Sequence, residues 1–190
     1  VGSEMCIRDR VSAILAVLEP SGVVGYSADS AVHEELTNPG TVGHLQRVFG
    51  SSVLSDDGSI DRPALRSVVL GDDEKRRQLE DILHPLVRAR FGHAVAGASG
   101  ALGERGTFVA EVPLYFESGS HYPCDRVVTV GASEALQIRR MVADRAISTG
   151  EAEGFLAAQQ TISHKMERSD HVIWNDGNLA SVSYTHLTLP

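Results

Sequence analysis

Two cysteines in 190 residues cannot build a disulfide framework. No run of the chain reaches the roughly 18 apolar residues of a membrane span. Basic residues are outnumbered, 17 Lys+Arg against 25 Asp+Glu, and the net charge of -8 argues against a surface that neutralises the many phosphates of a nucleic acid or an anionic membrane. Neither nucleic acid nor membrane is therefore expected as a partner, although one local anion site stays compatible with the charge. Eight histidines are scattered from His33 to His186 with no H-E-x-x-H or C-x-x-C spacing, so no metal site is expected from protein ligands. Low cysteine and the absence of a spanning run fit a reducing, cytoplasmic location. What the chain does contain, 42% hydrophobic and 22% charged residues, suits one globular domain with a sizeable core.

The two ends read differently from the middle. VGSEMCIRDR at residues 1–10 resembles the translation of a transposase-type sequencing adapter, and VSYTHLTLP at 182–190 resembles that of the opposite adapter strand. Both are expected to be non-native, leaving 11–181 as the protein's own sequence. Cys124 is then the native cysteine, and it reads as a small packed hydrophobe ahead of a strand.

Between those ends, VSAILAVL at 11–18 has the composition of a helix stopped by Glu19-Pro20-Ser21-Gly22. Val23 to Tyr26 reads as a buried strand handing over to a helix that Asp29 can cap. Pro39-Gly40 breaks that helix, and a second follows to Gly50. A turn at Ser55–Ser59 leads to a helix capped by Asp61 with Pro63 in its first turn. The helix starting near Asp72-Asp73 is expected to kink or break at His84, before Pro85, and to continue afterwards. The Gly/Ser/Ala stretch up to Gly106 reads as a linker. Then strands at Thr107–Val112, Arg126–Val130 and His171–Trp174 alternate with helices at Ser133–Arg145, Ser148–Gln160 and Ser163–Arg168. Apolar strands separated by helices give an α/β three-layer domain with a parallel sheet.

Ligands of open parallel sheets gather at the carboxyl ends of the strands. That rule selects Asp29, the loop from Pro113 to Gly119, and Asn175.

The ordered blocks AD…EE, PGT, DGSIDRPALR, ILHPLV, EVPLYFESG, CDRVVTV, QIRRMVADRAIS, AAQ and VIWNDG resemble the dephospho-CoA kinase family across nearly all of 11–181. The resemblance implies a P-loop kinase fold and transfer of the ATP γ-phosphoryl group to the 3′-hydroxyl of dephospho-CoA, with ATP and Mg2+ required. The family opens with a central strand and a G-x-x-x-x-G-K-S-T loop, and this chain contains no such run. Its own sequence is expected to start just behind the place of that loop, with adapter in front, so the 190 residues are expected to be inactive.

The resemblance also implies roles. Asp29 matches the second aspartate of the family's D-A-D motif and becomes the carboxylate that orients or deprotonates the acceptor hydroxyl, while Ser27 stands in place of the first. A plain helix cap is its competing reading. His84 and Pro85 match the substrate-side helical region, against a kink with His84 as its cap. Pro113, Leu114 and Glu117 fall in the loop that faces the acceptor, with core packing the competing reading for Leu114, Tyr115 and Phe116. Arg140 and Arg145 fall on the helix entering a lid at about 140–168, where arginine suits phosphate oxygens, and Arg139 reads as a solvated charge. Asn175 and Gly177 match the N-x-G turn that borders adenine, against an ordinary Asx turn. Two other functions stay open: another P-loop nucleoside or nucleotide kinase, and a loop-less nucleotide-binding module without catalysis.

Overall fold

The computed structural model describes residues 22–102, 106–117, 122–145 and 147–177. The helix expected at 11–18 and both adapter-like ends lie outside these residues. In order, the elements are β1 (Val23–Ser27), α1 (Ala28–Glu35), α2 (Pro39–Phe49), a 3-10 turn (Ser51–Val53), α3 (Arg62–Val69), α4 (Asp73–Leu102), β2 (Thr107–Glu111), β3 (Val128–Gly131), α5 (Glu134–Arg145), α6 (Thr149–Ala157), α7 (Ile162–Glu167) and β4 (His171–Trp174). Among the described residues the strands form two two-stranded sheets, β1 with β2 and β3 with β4. The chain divides into two compact units, one of Tyr26–Ala110 and one of Val1–Gly25 with Glu111–Pro190.

The Tyr26–Ala110 unit is helical because its capping residues stand where helices begin. Asn38 accepts from the Gly40 N–H at 2.9 Å and puts Pro39 in the first turn of α2. Asp61 accepts from the Ala64 N–H at 3.0 Å ahead of α3, as its sequence position leads one to expect. Leu45, Val53, Ile60 and Leu65 form the buried centre, joined by Leu79 and Ile82 from α4.

Two expectations for α4 are overturned. Pro85 lies inside a continuous helix of 30 residues. Proline leaves the carbonyl four residues back without its donor, but Asp81 and Pro85 are both exposed, so water can take that carbonyl. On the opposite face Leu83, Val87 and Phe91 are buried and hold the helix on either side of the proline. Tertiary packing here overrides the local breaker. The helix also continues through Gly97–Gly100 to Leu102, where a linker is expected, because alanine favours the helix and Ala98 is buried against the unit.

In the second unit β3 and β4 are parallel, with Val128 opposite His171 and Gly131 opposite Trp174. The ladder starts two residues later than expected at Arg126, since the Asp170 carboxylate takes the Val127 N–H at 2.7 Å before pairing begins. Ser148 and Glu151 form a capping box that starts α6. Met141 and Ala152, fully buried, join α5 to α6 with Ile138, Val142, Ile147, Phe155 and Leu156 around them.

Candidate active site

The turn from β1 into α1 carries the first candidate. Ser27, not Asp29, is the N-cap: its hydroxyl accepts from the Ser30 N–H at 3.4 Å. This corrects the expected cap. A serine in extended conformation at the last strand position reaches the orphan donors of the first turn, and the aspartate two residues on is already helical. Asp29 is half-buried in that first turn, where the helix N-terminus favours its negative charge.

The same turn is anchored by Tyr26. Its hydroxyl donates to the Val87 carbonyl at 2.9 Å, and its ring meets Phe91 edge-on at 5.5 Å and Phe108 at 6.3 Å. Val87 lies one turn after His84, which sits half-buried on α4. At the far end of α1, buried Glu35 is paired with Arg90 and accepts from Thr41 at 2.9 Å. Burial pushes its carboxyl up, and the hydrogen bonds of Arg90 and Thr41 with the Arg90 charge outweigh that and hold it below the usual value.

In the second unit Pro113, Leu114 and Glu117 are half-buried in the turn after β2, and Leu114 has a φ of 50°. Glu117 is ion-paired with Lys165 at 2.7 Å and accepts from the Gln160 N–H at 3.1 Å. The Gln160 amide donates to the Phe116 carbonyl at 3.1 Å, and the Arg168 guanidinium lies 4.8 Å from the centre of the Phe116 ring. Sequence reading missed Lys165, Gln160 and Arg168, whose partners lie some forty or more positions away. Nearby, the Tyr115 hydroxyl lies 3.7 Å from the sulfur of Cys124. That hydrogen bond and burial raise the phenol above its usual value. Cys124 is exposed, which corrects its reading as a packed residue; its preceding position leaves it outside the β3–β4 ladder.

At the carboxyl ends of β3 and β4 the third group assembles. The Asn175 N–H donates to the Gly131 carbonyl at 2.7 Å, and Asn175 is buried. One Arg140 nitrogen donates to the carbonyls of Asn175 and Gly177, each at 3.1 Å. Asp176 accepts from the Ser133 N–H at 2.7 Å, just ahead of α5. This bond, one from Trp174 and the Arg140 charge hold the Asp176 carboxyl below its usual value. Among the described residues, Asn175 Oδ1 and Arg140 Nη1 are buried without a hydrogen-bond partner, one an acceptor and one a donor. A Cβ on Gly131 would lie 3.0 Å from both the Trp174 ring and Ile162 Cδ1, so the strand end tolerates only glycine without rearrangement. Arg139 is exposed, as expected for a solvated charge, and Arg145 closes α5 with its side chain outside the described residues.

Known proteins resemble the chain over almost its whole length. The dephospho-CoA kinase family model matches residues 11–181. The dephospho-CoA kinase of Methylococcus capsulatus is 35% identical over 173 residues, which cover 90% of this chain and 84% of that one. The crystal structure of the protein TT1252 from Thermus thermophilus superposes with a TM-score of 0.73 at 26% identity, covering 96% of this chain and 88% of that one. The dephospho-CoA kinase of Campylobacter jejuni superposes with a TM-score of 0.68 at 25% identity, covering 90% and 85%.

Proposed function

The chain belongs to the dephospho-CoA kinase family, and from that premise we propose how its residues divide the work of ATP-dependent phosphoryl transfer. The fold is the mixed α/β fold of the P-loop kinases. The reaction moves the ATP γ-phosphoryl group to the 3′-hydroxyl of dephospho-CoA, the last step of coenzyme A synthesis. Such transfer needs an aligned hydroxyl, a carboxylate to take or orient its proton, and positive charge around the moving group.

Asp29 is the carboxylate on the acceptor hydroxyl. What supports this assignment is that Asp29 stands at the second aspartate of the family's motif, within the family-matched residues, and sits half-buried in the first turn of α1 directly behind β1. His84 and the Pro113, Leu114 and Glu117 turn serve the acceptor. Asn175 and Gly177 border the adenine of ATP: the unpaired Asn175 Oδ1 suits a base amino group, and the unpaired Arg140 Nη1 suits a ring nitrogen or phosphate oxygen. Arg145 belongs to the same ATP-facing lid.

Mg2+ bound to ATP offsets charge on the phosphates. Among the described residues no three His, Cys, Asp or Glu side chains cluster to hold a metal. Magnesium would be held mainly by the ATP phosphates and water, its usual mode in phosphoryl transfer. The few cysteines favour a cytoplasmic site of action; no helix among the described residues is long and apolar enough to cross a membrane.

The 190 residues contain no phosphate-binding loop, so we expect them not to turn over alone. Residues 11–190 joined behind the first strand and phosphate loop of the Methylococcus capsulatus relative should form coenzyme A from dephospho-CoA and ATP. Turnover by the 190 residues alone, or none by the joined protein, would overturn this reading.

A further inference from the structure

The turn after β2 is braced by side chains from more than forty positions further along the chain. Leu114 occupies the left-handed region at a φ of 50°, which is unfavourable for a residue with a Cβ. Only one backbone hydrogen bond closes the turn, from the Glu117 N–H to the Leu114 carbonyl at 3.0 Å, among those recorded for loops of the described residues. Further support among the described residues comes from Gln160 between α6 and α7, Lys165 within α7 and Arg168 just after it. Lys165 reaches Glu117 Oε1 at 2.7 Å, the Gln160 N–H reaches the same oxygen at 3.1 Å, the Gln160 amide holds the Phe116 carbonyl, and Arg168 covers the Phe116 ring.

The ion pair is withdrawn from solvent, with side-chain exposures of 18% for Lys165 and 17% for Glu117. Enclosing a carboxylate this far costs free energy unless a close cation and hydrogen-bond donors offset its lost hydration. Lys165 and Gln160 supply both, and both act on Oε1. Oε2 is buried and has no partner among the described residues. The carboxylate is therefore clamped on one side, with an acceptor to spare on the other.

We infer that Lys165 is a positioning residue for the acceptor: it holds Glu117 in place so that Oε2 receives a hydrogen bond from a hydroxyl or amide N–H of the acceptor substrate. The inference rests on the reading that the turn at Pro113–Glu117 faces the acceptor. It adds that residues of α7, on the lid segment, fix the shape and charge of that turn. Lysine does this without touching the reacting atoms, and arginine can replace it because charge and donors are kept.

The test is calorimetric titration of dephospho-CoA into the 190-residue chain, with circular dichroism checking the fold of each variant. Lys165→Met should weaken binding at least about tenfold, since loss of the pair leaves the carboxylate buried and unpaired. Lys165→Arg should stay within about threefold of the unchanged chain. Glu117→Gln should weaken binding as Lys165→Met does, and the double variant should be no weaker than either single one. Binding by Lys165→Met within twofold of the unchanged chain, or no better binding by Lys165→Arg than by Lys165→Met, overturns the inference. Should Lys165→Met not fold, Glu117→Gln decides, and unaltered affinity there overturns it equally. If the unchanged chain does not bind dephospho-CoA, it is the acceptor reading of the turn that fails.

Discussion

The hydroxyl of Tyr26 donates to the carbonyl of Val87 at 2.9 Å across 61 positions of sequence. The bond ties the residue just ahead of the Ser27-Ala28-Asp29 turn to the middle of α4, two residues beyond Pro85. The ring adds edge-on and tilted contacts with Phe91 and Phe108, which also meet each other at 5.8 Å. Such an anchor fixes the direction in which β1 hands the chain to the first turn of α1.

Tyr26→Phe keeps the ring contacts and removes only the hydroxyl. It should lower the unfolding free energy by about 1 kcal/mol, the usual net value of one such bond. Tyr26→Ala, which empties the aromatic cluster as well, should cost about 3–4 kcal/mol. Urea unfolding measures both, and equal losses would show that the hydroxyl, not the ring, carries the anchor.

Arg90 should matter more at neutral pH than in acid. The Glu35 carboxyl is held below its ordinary value of 4.5, so its contribution is fully present above that value and is lost as pH falls through the lowered folded value. At pH 7, Arg90→Met should cost about 2–3 kcal/mol by stranding a buried carboxylate, reduced from a fully buried pair because Arg90 is partly exposed. As pH falls through the lowered folded value the carboxyl takes up its proton, and the difference from the unchanged chain should shrink. A denaturation series across pH checks this, and a cost independent of pH would contradict it.

Gly131→Ala places a methyl against Trp174 and Ile162. Overpacking of this kind should cost about 1–3 kcal/mol. Because Trp174 is the single tryptophan, its fluorescence reports the strain directly. The emission should shift, and ATP affinity should fall with it, since the next residue, Asn175, bonds to the Gly131 carbonyl. An unshifted spectrum would mean that the ring has room to move.

Much of this was legible along the chain because the signals are local. Asp61 before Arg62-Pro63 and Ser148 before Glu151 announce their helices, and HVIW followed by Asn-Asp-Gly announces β4 and its turn. Pro85 misled because burial of Leu83, Val87 and Phe91 is a tertiary fact that outweighs a local breaker. Ser27 rather than Asp29 caps α1 because the strand runs on through Ser27, one residue further than the apolar stretch Val23–Tyr26 indicates. Lys165 and Gln160 could not be placed at all, since their pairing with the Pro113–Glu117 turn joins residues more than forty positions apart. Arg140 bonds to the Asn175 and Gly177 carbonyls, a task that helix position alone does not reveal.

The central claim is that Asp29 is the carboxylate serving the acceptor hydroxyl. The most direct measurement is steady-state coenzyme A formation by Asp29→Asn in residues 11–190 joined behind a family phosphate loop. The account predicts that kcat falls by about 10²–10⁴, with KM for ATP within about threefold of the parent because ground-state nucleotide binding does not use this group. Turnover equal to that of the parent would contradict it.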